Sequence, residues 1–392
     1  MRNAVIAAYG RSAVAKANRG TLKYSRPEDV AAQVLKGTLA KIPQLDPDLI
    51  DDIVLGCAFP EAEQGFNVAR VVGLRAGLPI HVPGQTVNRF CASGLQSIAN
   101  AANSVMAGQA DAVVAGGVEF MSLVPMGGNN LAPNPYAMDN MPEAYTIMGI
   151  TAENMADYYG ISREEQDQFA YESHIKAAKA RAEGKFKEQI IPVDAVVPTT
   201  DENGNLTQKT IVFDTDEGIR ENISLEALAK LRTVFKKGGT VTAGNASQMN
   251  DAAAMTVVTS EEFAKEHGLT PIARFVSYAA VGVDPDYMGR GPIAAIPKAL
   301  KIAGLTVDDI DLFELNEAFA SQSIACIKEL GLDPEKVNPN GGAIALGHPL
   351  GCTGSFLTAK LLSEMKLRNS HYGVVSMCIG GGMGAAAVYE LL

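Results

Sequence analysis

At 392 residues with a net charge of −11, the chain can form more than one hydrophobic core and carries the wrong sign to bind nucleic acid or an anionic lipid surface. Apolar residues make up 47% and charged residues 20%, an ordinary balance for a folded protein that excludes disorder. The apolar stretch before Tyr9-Gly10-Arg11 is too short for a signal-peptide core, and no later run reaches the roughly 18 apolar residues of a membrane span, so a soluble, cytoplasmic protein is expected.

In chain order, residues 4–8 read as a short buried strand. Pro27-Glu28-Asp29 opens a helix with Val30, Val34 and Leu35 on one face. Residues 53–55 form a second strand and residues 67–74 a second helix. Thr86-Val87-Asn88 leads into Cys91. Beyond it Leu95, Ile98, Ala99, Ala102, Val105 and Met106 keep helical spacing to Gly108, and residues 112–117 close the unit as a strand. Residues 121–241 differ in texture: Pro125, Pro133 and Pro135 lie among Asn, Gly and Met residues, and an amphipathic charged helix follows over 163–183. This region reads as an insertion lying over the body, of the kind that builds ligand sites.

The C-terminal part repeats the opening grammar. Strands are expected over 272–276, 311–315 and 373–378, helices over 293–302, 318–330 and 355–365, and a returning hairpin strand over 385–391. Leu45-Asp46-Pro47-Asp48-Leu49-Ile50-Asp51-Asp52-Ile53 and Leu305-Thr306-Val307-Asp308-Asp309-Ile310-Asp311-Leu312 align by eye, which points to a duplicated unit. The expected organisation is therefore an N-terminal half over 1–120, completed by about 242–268, an inserted region over 121–241, and a C-terminal half over 269–392.

Five scattered cysteines suggest neither a disulfide framework nor a zinc site. Cys91, in Asn88-Arg89-Phe90-Cys91-Ala92-Ser93-Gly94, sits where a strand gives way to a helix, and unpaired N–H groups at a helix start would stabilise a thiolate and lower its pKa. The competing reading is a small buried apolar side chain, and Cys57 and Cys326 keep that reading. His348 lies in the glycine-rich run Gly341-Gly342-Ala343-Ile344-Ala345-Leu346-Gly347-His348-Pro349, where a neutral imidazole could take a thiol proton or simply bond to backbone. Cys378 precedes Ile379-Gly380-Gly381-Gly382, whose open N–H groups suit an oxyanion hole. Gly382-x-Gly384-x-x-Ala387 imitates a dinucleotide fingerprint but leaves no room for the helix and strand that motif requires. Asn316, in Asn316-Glu317-Ala318-Phe319, either holds a water or carbonyl or caps the following helix.

Together, Cys91-Ala92-Ser93, Asn316-Glu317-Ala318-Phe319, Gly347-His348-Pro349 and Cys378-Ile379-Gly380 resemble the four active-site motifs of the thiolase family, in order, and the likeness runs from about Asn3 to the C-terminus. The resemblance implies an α/β fold, a five-layered αβαβα body of two duplicated halves with an inserted loop domain that binds coenzyme A, assembled as a homotetramer or homodimer. It implies that Cys91 is the acylated nucleophile, His348 its activating partner, Cys378 the acid/base, Asn316 the holder of a water, and Gly380 an oxyanion donor. Coenzyme A is then a co-substrate, with no metal or other cofactor. Ser247, in Gly244-Asn245-Ala246-Ser247, matches a pantetheine contact and Arg220 a basic position near the adenine end; Met288, Phe319 and Ile147 would face the substrate.

Acetoacetyl-specific relatives typically carry a histidine before the Met-Gly of the loop domain. Ile147 before Met148-Gly149 instead resembles the degradative 3-ketoacyl-CoA thiolases of fatty acid β-oxidation, although Met288 is shared with the acetoacetyl enzymes. The rivals are a biosynthetic acetyl-CoA acetyltransferase, a ketoacyl synthase, against which Cys378 in place of a second histidine argues, and a non-catalytic acyl-CoA-binding protein.

Overall fold

A computed structural model describes residues 2–392. Its N-terminal part runs β1 (Ala4–Arg11), the two-residue β2 (Ala15–Lys16), α1 (Pro27–Leu39), β3 (Asp52–Gly56), α2 (Val68–Ala76), β4 (Gly84–Val87), α3 (Ser93–Met106) and β5 (Ala112–Phe120). β1 and β5 are buried along their whole length, which is why residues 4–8 and 112–117 read as apolar runs without alternation. Pro27 opens α1 with Glu28 and Asp29 in its first turn, where the helix dipole favours carboxylates.

The long middle region holds α4 (Pro135–Asn140), α5 (Met148–Tyr159), α6 (Arg163–Ala182), the hairpin of β6 (Val193–Thr200) and β7 (Leu206–Phe213), and α7 (Leu225–Ala229). Ser162 and Glu165 form a capping box at the start of α6, as the charged helical pattern implies. The chain then returns through β8 (Asn250–Ser260) and α8 (Glu261–Glu266) to β9 (Ala273–Gly282), α9 (Gly291–Ala303), β10 (Leu312–Leu315), α10 (Ala320–Leu330), α11 (Ala343–Leu346), α12 (Thr353–Arg368), β11 (Tyr372–Ile379) and β12 (Met383–Leu391). The helix expected from residue 318 begins at Ala320 instead. The backbone before it is taken: Ala318 O accepts from Ser247 N–H, Phe319 bridges Ala246, and Ala320 N–H donates to Asn245 O.

Sheet order makes the duplication explicit. One half runs β4-β3-β5-β8-β1 and the other β10-β11-β12-β9, with β1 and β9 joined antiparallel through Val5–Arg274 and Ile6–Ala273. In the first half β3 is parallel to β4 and β5, then β8 and β1 follow antiparallel. In the second β10 is parallel to β11, β12 and β9 follow antiparallel, and a parallel bridge from Phe313 to Val337 stands where β4 stands in the first.

Three apolar cores separate five layers. α1 and α2 pack on the outer face of the first half-sheet through Val30, Leu35 and Val72. α9 packs on the outer face of the second through Ile296 and Leu300. Between the inner faces lie α3 and α12, contributing Leu95, Ile98, Phe356 and Leu361 to one shared core. Every residue of α12 from Thr353 to Met365 is buried, as a central-layer helix requires.

These central helices approach closely at Gly94 and Gly354, the second residue of each. A Cβ on Gly354 would lie 2.1 Å from the Leu95 nitrogen, and one on Gly94 would lie 2.9 Å from the Gly351 oxygen. Gly354→Ala is therefore expected to destabilise the protein by about 1–3 kcal/mol through overpacking. A thermal or urea midpoint equal to the parent's would contradict this helix crossing.

Candidate active site

Cys91, His348 and Cys378 reach one mainly apolar cavity of about 390 Å³. Turns next to the central layer deliver Cys91 and His348, and the end of β11 delivers Cys378. Cys91 sits in a short helical turn, Phe90–Ala92, immediately before α3. Phe90 has a φ of +43°, a left-handed conformation that costs energy for a side chain of its size. Hydrogen bonds over-determine that turn: Asn88 Oδ1 accepts from Phe90 N–H at 2.8 Å while its Nδ2 donates to Ala58 O at 2.9 Å. Ser93 Oγ donates to Phe90 O at 2.6 Å and accepts from Arg89 N–H at 2.9 Å.

The lowered thiol pKa expected from the helix start does not survive burial. Desolvation pushes the Cys91 thiol up to about 11, against the opposing pull of N–H groups from Gly380 and from Cys91 itself. The helix-start field is present but loses to the loss of water. Cys91 thus rests as a thiol and needs a base.

His348 lines the same cavity as Cys91. Gly347 precedes it at a φ of +109°, and a Cβ there would lie 2.3 Å from Asn250 Oδ1, the atom that accepts the His348 backbone N–H at 3.0 Å. Thr353 Oγ1 donates to Pro349 O at 3.1 Å, which leaves its oxygen to accept from His348 Nδ1 at 2.6 Å. The proton therefore sits on Nδ1, and Nε2 keeps its lone pair, facing Asn316 Nδ2 at 3.4 Å. Burial lowers the imidazole from 6.5 to about 4, so it is neutral at physiological pH.

Asn316 follows β10 and is fully buried, and its Oδ1 has no partner among the described residues. It does not cap α10, whose N-cap is Phe319. Cys378, near the end of β11, is held well above the usual thiol range by burial first and then by the neighbouring Cys91 and Cys326. Residues 380–382 turn the chain into β12, with Ile379 paired to Met383, so the dinucleotide fingerprint is a hairpin.

Of the ligand contacts expected from sequence, Ser247, Met288, Phe319 and Ile147 line the cavity. Arg220 does not: it is exposed, and its backbone N–H donates to His174 Nδ1 at 3.0 Å. Sequence reading overlooked Thr353, whose only signal was its place five residues after His348. It also overlooked Met121, Met126 and Met249, whose side chains line the cavity from separate parts of the chain.

The family profile of the Thiolase, N-terminal domain matches residues 4–262, and that of the Thiolase, C-terminal domain matches residues 269–391. The chain belongs to the thiolase family. It is an acyltransferase of that family, and a Bacillus subtilis (strain 168) protein named 3-ketoacyl-CoA thiolase is 54% identical over 391 residues, covering 100% of both chains. Among solved structures, the Bacillus anthracis acetyl-CoA acetyltransferase superposes with a TM-score of 0.90 at 42% identity, covering 100% of this chain and 99% of that one. Human mitochondrial 3-ketoacyl-CoA thiolase superposes with a TM-score of 0.89 at 38% identity and the same coverage.

Two outcomes are expected for this thiolase. Because His348 stays neutral until the pH falls toward about 4, an acid limb set by His348 should lie near that value and not near 6.5, readable from the pH dependence of Cys91 alkylation. Thr353→Val removes the acceptor of the Nδ1 proton and should lower turnover roughly tenfold, the scale of a lost orienting bond to a base; parental turnover would remove Thr353 from this role.

Proposed function

We propose that this enzyme cleaves 3-ketoacyl-CoA with coenzyme A, yielding acetyl-CoA and a shortened acyl-CoA, in the manner of fatty acid β-oxidation. The observation that carries the reading is a pair of buried thiols in separate apolar surroundings at one cavity. Cys91 packs with Ala17, Ala58, Met121 and Leu350. Cys378 packs with Ala152, Met288, Ala318 and Phe319. One surrounding suits an acyl chain on sulfur and the other suits the acetyl fragment.

In the proposed sequence, His348 Nε2 takes the Cys91 proton, and the sulfur adds to the 3-keto carbon while the N–H groups of Cys91 and Gly380 stabilise the oxyanion. Collapse breaks the carbon–carbon bond and releases the enolate of acetyl-CoA. Its oxygen is stabilised by His348 and a water held by Asn316, for which the unpartnered Asn316 Oδ1 is the support, and Cys378 protonates its carbon. Coenzyme A then gives its thiol proton to Cys378 and takes the acyl group from Cys91, whose departing thiolate recovers its proton from His348. Coenzyme A is co-substrate, and the reaction needs no further cofactor. Ser247 would contact the pantetheine; Arg220 would act only at the outer, adenine end.

The degradative direction is favoured over acetoacetyl-CoA synthesis by the open acyl side of the cavity. Met121 and Leu350 are buried beside Cys91, but Met126 and Met249 at the rim are 43% and 51% exposed, so a longer chain has a way out. The reading includes a homodimer or homotetramer, for which β4 is the support: it is a sheet edge flanked by Phe66, 98% exposed, and Ile80, 85% exposed. It also includes the cytoplasm, where five free cysteines remain reduced.

Brief mixing with acetyl-CoA is expected to leave an acetyl adduct on Cys91 by mass spectrometry, absent in Cys91→Ala, while Cys378→Ala acylates but does not turn over. No adduct under any condition would sink the proposal. Thiolysis of a medium-chain 3-ketoacyl-CoA should at least match that of acetoacetyl-CoA, and Met121→Phe should reduce the medium-chain rate selectively. Activity confined to acetoacetyl-CoA would instead establish the biosynthetic reading.

A further inference from the structure

The chemistry above leaves several buried carboxylates unused, among them Asp251, Glu317 and Glu119. Glu119, near the end of β5, has no lysine or arginine partner among the described residues. It is held by donors alone. Oε2 accepts Ala58 N–H at 2.7 Å and Gly351 N–H at 2.8 Å; Oε1 accepts Gln64 Nε2 at 2.6 Å and Phe59 N–H at 3.4 Å, with the Cys57 thiol at 3.9 Å. Four N–H donors favour the anion, against the burial that raises its pKa.

An unpaired buried charge is costly, and an apolar residue would fill the space more cheaply. What the charge accomplishes is visible in what it joins. Ala58 and Leu350 both pack against Cys91. Gly351 is three residues after His348, and Ala58 O is the acceptor that anchors Asn88 and hence the strained turn carrying Cys91. The two loops come from different halves of the molecule, and no backbone ladder connects them at this point. We infer that Glu119 is a positioning residue for acyl transfer: its carboxylate clamps the loop that follows His348 to the wall behind Cys91, and its fixed negative charge opposes formation of a free Cys91 thiolate.

The charge and the clamp have separable consequences. The titratable groups near the carboxylate are the thiols of Cys57, Cys91 and Cys352, and its field acts to raise each of them. At Cys91 the Gly380 N–H pulls the other way, and His348 and Cys378 line the same cavity. Removing the charge while keeping the shape should make the Cys91 thiolate easier to form. Removing two of the four acceptor positions should let the loops drift, and a misplacement on the order of 1 Å costs up to about a hundredfold in rate.

The test is Glu119→Gln, followed by turnover and by the pH dependence of Cys91 inactivation with iodoacetamide. Turnover is expected to fall at least roughly tenfold, while iodoacetamide reacts faster at neutral pH and its profile moves to lower pH. Turnover within about twofold of the parent overturns the clamp, and a loss of turnover with an unmoved alkylation profile reduces Glu119 to general packing. Should Glu119→Gln fail to fold, Glu119→Asp carries the test. It keeps the charge but shortens the reach, so turnover should fall while the alkylation profile stays with the parent, and unchanged turnover overturns the proposal. The inference rests on the acyl-transfer reading only for its turnover arm. A parent without thiolysis or acyl exchange would sink that reading and leave the alkylation arm to judge Glu119.

Discussion

The site depends on the close crossing of α3 and α12 in the middle of the molecule. Gly94 and Gly354 occupy the same place in their helices, and each lacks the Cβ that would strike the partner segment. Equivalent turns precede both helices: Phe90–Ala92 before Ser93, and Leu350–Cys352 before Thr353. Crossing the helices at their second residues therefore brings those two turns together. One turn carries Cys91, and the other follows directly on His348.

The same duplicated frame is used asymmetrically. Ser93 closes the strained turn at Phe90, whereas Thr353 at the corresponding helix position sets the tautomer of His348. Cys91 faces the cavity, whereas Gly351 at its counterpart position lends its N–H to Glu119. The second half adds Asn316 and Cys378 from the ends of β10 and β11, neighbouring parallel strands. Two copies of one architecture thus supply different groups to one cavity.

Desolvation governs the chemistry at rest. It raises both thiols, lowers the imidazole, and leaves every reacting group neutral. The N–H groups of Gly380 and Cys91 offset only part of that cost, so charge is stabilised where it would develop on a bound substrate and not beforehand. The apolar cavity strengthens those few polar contacts by excluding water.

Much was legible in the sequence for physical reasons. Buried strands such as residues 112–117 and the one-sided spacing of α3 are written in local apolar patterning, and the duplication survives in the Leu45 and Leu305 segments because each must lead into an equivalent strand. The motifs around Cys91, Asn316, His348 and Cys378 marked the groups proposed to react because that chemistry tolerates few residue types. The sequence by itself thus determined the half-repeats and most of the elements, and it pointed to the side chains proposed to react. Tertiary structure alone decided that Cys91 rests as a high-pKa thiol, that Asn316 faces His348 instead of capping a helix, that Arg220 lies away from the cavity, and that Thr353 and Glu119 brace it. Protonation state and loop position arise from burial and from hydrogen bonds between residues tens to hundreds of positions apart, which no local pattern encodes.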